Sequence, residues 1–229
     1  ETIALNGIIT IDSLATKIKS NLSFANMQFD LGFESADETM IVDLNTSQLD
    51  LKSIFTKIPK DYLSALESYD INGKSIVKLN YKSDQQKEPF ITVDFTLENG
   101  IVKGKDLPFD MNELSLKGNY TNGKLRQDAS TEIILDDIQF LANGETIQAN
   151  AVVKGLENPT IITDFATQLQ LSELKKWGYE HDFLSLAGDA KIKGSYNGKV
   201  GLQNKITYDM AMAQKSAEIN VSNLDFLND

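Results

Sequence analysis

The sequence predicts a mainly β chain whose strands pair largely antiparallel, interrupted by two short helical segments. Three observations lead there. Apolar and polar residues alternate with period two along most of the 229 residues. Asn-Gly and acidic turn signals separate consecutive alternating runs, as in a meander. Two stretches 120 positions apart, Ser47-Gln48-Leu49-Asp50-Leu51 and Thr167-Gln168-Leu169-Gln170-Leu171, read almost alike. Each closes an alternating run, opens a helical segment and is followed by a further run, which defines an approximate repeat over 41–120 and 161–229.

Ile3, Leu5, Ile9 and Ile11 share one parity, and Met27, Phe29, Leu31 and Phe33 alternate with Gln28, Asp30 and Gly32. A polar turn, Glu34 to Glu38, precedes a strand through Met40, Val42 and Leu44. Leu51, Ile54, Phe55, Ile58, Tyr62, Leu66 and Tyr69 then fall at helical spacing, divided by Pro59, with Asp50 ahead of Lys52-Ser53 as an N-cap. A run around Gly73 to Leu79 leads to Ile91, Val93, Phe95 and Leu97, after which Asn99-Gly100 should turn the chain. Leu114, Leu116 and Tyr120 approach Thr121-Asn122-Gly123, a hairpin-type turn. Ile133 and Leu135 change parity to Ile138 and Phe140 across Asp136-Asp137, which indicates a bulge. Asn143-Gly144 leads to Ile147, Ala149, Ala151 and Val153. Ile161 to Leu171 is followed by a second helical segment, Ser172 to Leu184, with Leu174, Trp177 and Phe183 apolar and Ser172 as a candidate cap. Ala190 to Tyr196, Ile206 to Met212 and Glu218 to Leu224 are the last strands.

Composition narrows the function classes. With 33 acidic against 22 basic residues the net charge is −11, the reverse of what a phosphate-tracking, nucleic-acid-binding surface needs. The same balance disfavours docking on anionic headgroups while leaving acyl chains open. The chain contains no cysteine, which excludes disulfides and thiolate metal sites. No apolar run approaches the ~20 residues of a membrane-spanning helix. We expect a single β-rich fragment, 1–229, of something longer, with unpaired edge strands that favour dimerisation or aggregation.

Nearly every strand has one greasy face and one face of Thr, Asn, Asp, Lys and Gln. The helices are too few to cover the apolar faces, so those faces must meet each other. Two arrangements satisfy this: a closed sandwich or barrel, or a folded sheet with an open groove. In the second, Phe29, Phe33, Phe95, Leu97, Leu135, Phe165 and Tyr208 would line a lipid-sized surface. Such a site needs continuous apolar lining and few polar anchors, so it carries no sharp motif.

Glu98 to Leu107 leading into Met111 to Gly123, then Val152 to Pro159, then Leu169 to Leu174, resemble the periplasmic region of AsmA-like proteins, the group related to TamB, in its Bacteroidetes versions. The shared features are a Gly-x-Tyr approach to Asn-Gly, at Gly118 to Gly123 and again at Gly194 to Gly198, and a strand-to-helix step from Asn158-Pro159 to Leu174. The resemblance covers roughly 40 to 229. It implies a long, curved, U-folded sheet (a β-taco or open barrel-like groove) with a hydrophobic interior, anchored to the inner membrane through a segment absent here. It also implies periplasmic work in outer-membrane assembly and phospholipid passage between membranes, with phospholipid and outer-membrane assembly proteins as partners and no catalytic residues or cofactor.

The remaining candidates for chemistry have blander explanations. His181, the only histidine, sits between Glu180 and Asp182, three consecutive side chains that do not converge on one point. Asp136-Asp137 suits a bulge better than a cation site. Ser185 and Ser195 lack a G-x-S-x-G elbow or a paired histidine. Asn21, Asn45, Asn119 and Asn220 match the glycosylation triplet, as chance provides in a chain rich in Asn, Ser and Thr. The expected function is therefore non-enzymatic, a hydrophobic surface serving lipid transport. The alternatives are a structural periplasmic scaffold with a closed core and a secreted carbohydrate-binding β-sandwich.

Overall fold

A computed structural model describes residues 3–11, 15–24, 27–56, 68–84, 87–105, 107, 109–179, 185–201 and 207–227. The strands are β1 (Ile3–Ile11), β2 (Ala15–Phe24), β3 (Met27–Ala36), β4 (Thr39–Thr46), β5 (Leu49–Asp50), β6 (Tyr69–Asp84), β7 (Lys87–Gly104) and β8 (Met111–Thr121). They continue as β9 (Glu132–Ala142), β10 (Glu145–Lys154), β11 (Thr160–Gln170), β12 (Ser185–Gly201), β13 (Thr207–Tyr208) and β14 (Gln214–Leu227). All belong to one antiparallel sheet. β1 to β4 run side by side, β6 follows β4, and each strand to β12 pairs with the next. The short β5 pairs with β6, and β13 and β14 both pair with β12. The sheet does not close: β1 and β14 are its two margins. No second sheet covers it among the described residues, so neither a closed barrel nor a sandwich forms.

Short local signals explain most of the connections. At Asn143-Gly144 both residues take positive φ (52° and 92°), the geometry of a two-residue hairpin turn between β9 and β10. Asn99-Gly100, expected to turn the chain, does not: β7 runs through it from Lys87 to Gly104. Asn99 (φ 50°) instead forms a bulge opposite Gly73 (φ 131°), between the pairs Lys74–Glu98 and Asn72–Ile101. Bulges continue across the sheet at Glu113 in β8 and at Asp137 in β9, where the change of parity at Asp136-Asp137 predicts one. Gly188 (φ 130°) on β12 and Asn223 (φ 53°) on β14 stand opposite each other in the same way as Gly73 and Asn99. Buried Leu49 pairs with Ser75 two positions beyond the first glycine, and buried Leu169 pairs with Ala190 two positions beyond the second.

Thr121-Asn122-Gly123 is likewise no tight hairpin. It opens a longer connection containing a 3-10 turn, Asp128–Ser130. Asn122 is buried there and accepts from the Ile91 N–H (2.9 Å) while donating to the Pro89 carbonyl (2.7 Å). Arg126 reaches back to Asp84 (3.1 Å) and the Glu88 carbonyl (2.7 Å), tying this connection to the β6–β7 hairpin.

The described parts of both helical segments begin where the sequence patterns place them. α1 spans Leu51–Phe55, and Asp50 caps it by accepting from the Ser53 N–H at 2.8 Å. Tyr69 belongs to β6, while Ile58, Pro59, Tyr62 and Leu66 lie outside the described residues. The second segment is a 3-10 helix, Leu171–Trp177, entered through Gln170 without a side-chain cap, so Ser172 does not cap it, and closed by Gly178 in the left-handed region. Phe183, Leu184 and Ile206 lie outside the described residues, and the described part of the strand expected over Ile206 to Met212 is Thr207–Tyr208.

Burial concentrates at one end of the sheet, where α1, the β7–β8 connection, the β9–β10 turn and the 3-10 helix all lie. One cluster joins Leu114, Phe140, Ala142 and Ile147, with Phe109 and Trp177 packed on it. A second joins Leu169, Leu171 and Ala190, with Leu174, Leu186 and Ile192 around them. The accessible surface is 15579 Å², roughly 1.5 times that of a compact monomer of 25.4 kDa. That excess is the signature of a sheet left largely single-layered.

Candidate functional site

Register decides which side chains share a face, because directly paired residues of antiparallel strands point the same way. From β3 to β11, paired residues run Leu31–Leu44–Leu79–Val93–Tyr120–Ile133–Val153–Ile161 without a charged side chain. The row beside it runs Val77–Phe95–Gly118–Leu135–Ala151–Thr163–Tyr196, from β6 to β12. At ~4.8 Å between strands, the first row is a continuous apolar path about 34 Å long.

The sequence-predicted lining residues fall on this face. Phe29 and Phe33 are on β3, Phe95 and Leu97 on β7, Leu135 on β9 and Phe165 on β11. They are spread across the sheet and do not surround one pocket. Leu97 packs on the buried cluster at the lower end, whereas Phe165 is 41% exposed. Tyr208, on β13, pairs with Val200 and meets the Tyr196 ring edge-on with centroids 5.5 Å apart. It stands near the β14 margin.

Three threonine hydroxyls on this face are engaged by backbone groups of the sheet. Thr163 donates to the Asn150 carbonyl (2.8 Å) and Thr167 to the Thr146 carbonyl (2.9 Å). The Thr46 hydroxyl accepts from the Val77 N–H at 2.9 Å, taking over where the β4–β6 ladder ends. With their hydroxyls engaged by backbone, these threonines add little polarity to the apolar surface.

The opposite face is built from hydrogen-bonded pairs. Asn21 donates to Asp30, Asn80 to Asp43 at 2.7 Å, Asn119 to Asp94 at 2.7 Å and Asn150 to Asp164 at 3.2 Å. Lys117 bonds Asp137 at 2.7 Å, and that hydrogen bond, with the nearby carboxylate charge, raises the lysine pKa above its ordinary value. Shallow recesses on this side, such as one bordered by Lys78, Asp94, Lys117 and Asn119, are dips between long side chains. They gather no nucleophile–base pair.

Asp136-Asp137 serves the bulge: the Asp137 N–H donates to Asn150 Oδ1 at 3.1 Å. Ser195 shares a hydrogen bond with Ser216 (2.7 Å), across the sheet. His181, Glu180 and Asp182 lie outside the described residues. Among the described residues, no group of three or more His, Cys, Asp or Glu could hold a metal ion, and no helix is long and apolar enough to cross a membrane.

Sequence reasoning did not find the aromatic group on the lower end of the apolar face. Phe109 stacks on Phe140 with centroids 6.0 Å apart and meets Trp177 edge-on at 5.5 Å. The Trp177 Nε1–H is buried there without an acceptor among the described residues. Asn143 donates to the Lys176 carbonyl (3.0 Å), holding the 3-10 helix across the sheet against the β9–β10 turn. Comparison with family models, curated proteins and solved structures finds no match for this chain.

Proposed function

We propose that the apolar face binds acyl chains of phospholipid and that the chain acts without catalysis, as a lipid-carrying element of the cell envelope. The observation that supports this most is the uncharged row from Leu31 to Ile161, uncovered by any second layer among the described residues. These residues are half-buried by their neighbours in the sheet, and an apolar surface of this extent without a covering layer marks a binding surface or an aggregation liability. The likeness to AsmA-like proteins supports a periplasmic setting, a membrane anchor outside this stretch and a part in outer-membrane assembly. A scaffold with a closed core, or a carbohydrate-binding sandwich, needs a second layer that the described residues do not supply.

Native mass spectrometry of the purified chain, with uptake of a fluorescent fatty acid, tests the reading. Co-purifying phospholipid and saturable uptake are expected. Phe95→Glu and Phe165→Glu should abolish uptake while circular dichroism retains the β signature. A ligand-free spectrum together with no uptake overturns the proposal.

A further inference from the structure

We infer that the aromatic group Phe109–Phe140–Trp177 is a stop that makes the apolar face take acyl chains methyl end first, along β10; this rests on the lipid-binding reading. Three observations carry it.

The first is the floor. On the apolar face β10 presents Ile147, Ala149, Ala151 and Val153 in succession. Ala149 and Ala151 are the small residues of that column. Their paired neighbours on β9 are Ile138 and Leu135, and on β11 the partner of Ala149 is Phe165. The Phe165 ring leans the other way, over Gly194 of β12, because glycine leaves that space free. The result is a furrow over the two alanines, running along the strand.

The second is the closed end. The lower end of the furrow is Ile147, a member of the buried cluster with Phe140. Trp177 and Phe109 pack on that cluster, and Asn143 pins the helix that delivers the tryptophan. Along the column Ile147 is 9% exposed and buried, whereas Ala149, Ala151 and Val153 above it are half-buried.

The third is length. From Ile147 to Val153 the strand rises about 20 Å at ~3.3 Å per residue. One acyl chain occupies about 15 Å, half of a ~30 Å bilayer core. A single chain therefore fits between the stop and the upper connections, with its polar end left at the open side. The opposite orientation would press a carboxylate or ester, stripped of water, against buried aromatic rings, which disfavours it.

Trp177 is the only tryptophan, so its fluorescence reads this end of the furrow alone. The wild-type chain is titrated with palmitic acid brominated at the ω carbon or at the α carbon, and occupancy is matched by displacement of a fluorescent fatty acid. The ω-bromo acid should quench Trp177, and the α-bromo acid should leave its emission near the unliganded level. Phe109→Ala should shift the preferred acid to a longer chain, and Ala151→Phe should abolish uptake with the circular dichroism spectrum unchanged. Equal quenching by both acids, or stronger quenching by the α-bromo acid, overturns the stop while the lipid reading stands. Absence of displacement by either acid overturns both.

Discussion

The ring of Phe95 on β7 lies over the α-carbon of Gly118 on β8, so that a methyl group at that glycine would overlap the ring. Phe165 and Gly194 repeat the relationship between β11 and β12. Each glycine precedes a tyrosine by two positions, Tyr120 and Tyr196, in the Gly-x-Tyr motif that the sequence shows twice. The glycine is needed because an aromatic ring from the neighbouring strand occupies the place of its side chain. Gly118→Ala should push the Phe95 ring off the sheet and cost about 1–2 kcal/mol in urea denaturation. In the double variant with Phe95→Ala the two costs should not add. Wild-type stability in Gly118→Ala would sink this account.

The Asn–Asp pairs of the polar face are predicted to act as independent cross-strand rungs. Asn80→Ala and Asn119→Ala each remove a 2.7 Å hydrogen bond to a carboxylate. Each should lower stability by about 0.5–1 kcal/mol, and together by the sum. Chemical denaturation of the three variants checks this, and a double variant no worse than either single one would contradict it.

Trp177 carries a cost of its own, since its buried Nε1–H has no acceptor among the described residues. Trp177→Phe removes that donor and keeps a ring against Phe109, so it should match or exceed wild-type stability. Trp177→Ala, which empties the place beside Phe109 and Phe140, should cost about 2–3 kcal/mol. Thermal melts of the two variants separate the polar from the packing contribution, and a large loss in Trp177→Phe would show that the donor is satisfied after all.

Lys117 should titrate above the ordinary lysine value of 10.5, first because of its hydrogen bond to Asp137, then because of the Asp137 charge, with burial opposing and the Asp136 charge adding least. A folded-state pKa raised in this way stabilises fully below the unfolded value and is lost as pH climbs through the raised one. The contribution is thus constant at neutral pH and disappears only above about 10.5. Carbon-13 titration of the Lys117 side chain should give a value above 10.5, and Asp137→Asn should lower it.

The two sheet margins should drive self-association. β1 carries no charged residue from Ile3 to Ile11, and Ile9 and Ile11 are 64% and 73% exposed; on β14, Ile219 is 62% exposed. Sedimentation velocity should show a mass that rises with concentration, reduced in the double variant Ile9→Lys and Ile219→Lys. A monodisperse monomer at high concentration would argue that the margins are self-protecting.

Much of the architecture was legible in the residue pattern for a definite reason. Side chains of a strand alternate between faces, so Phe95, Leu135 and Phe165 had to share their faces with the apolar residues two positions away. The bulge at Asp136-Asp137 was visible because a switch of parity has no other cheap solution. Asp50 was recognisable as a cap because its carboxylate reaches the N–H three residues on. Asn99-Gly100 was misread because a residue in the left-handed region serves a tight turn and a bulge equally well. Only the neighbouring strands, which continue past that point on both sides, select the bulge.

The sequence by itself therefore determined that this chain is β, that each strand has one apolar side, and where short helical turns interrupt it. Those properties depend on near neighbours along the chain. Tertiary structure alone decided that Leu31 and Ile161 end one unbroken apolar path and that the margins stay apart. It also decided that Phe109 and Trp177, 68 positions apart, meet over Phe140. Such outcomes depend on register and on which side chain leans into a neighbour's empty glycine, and those energies arise only between strands already paired.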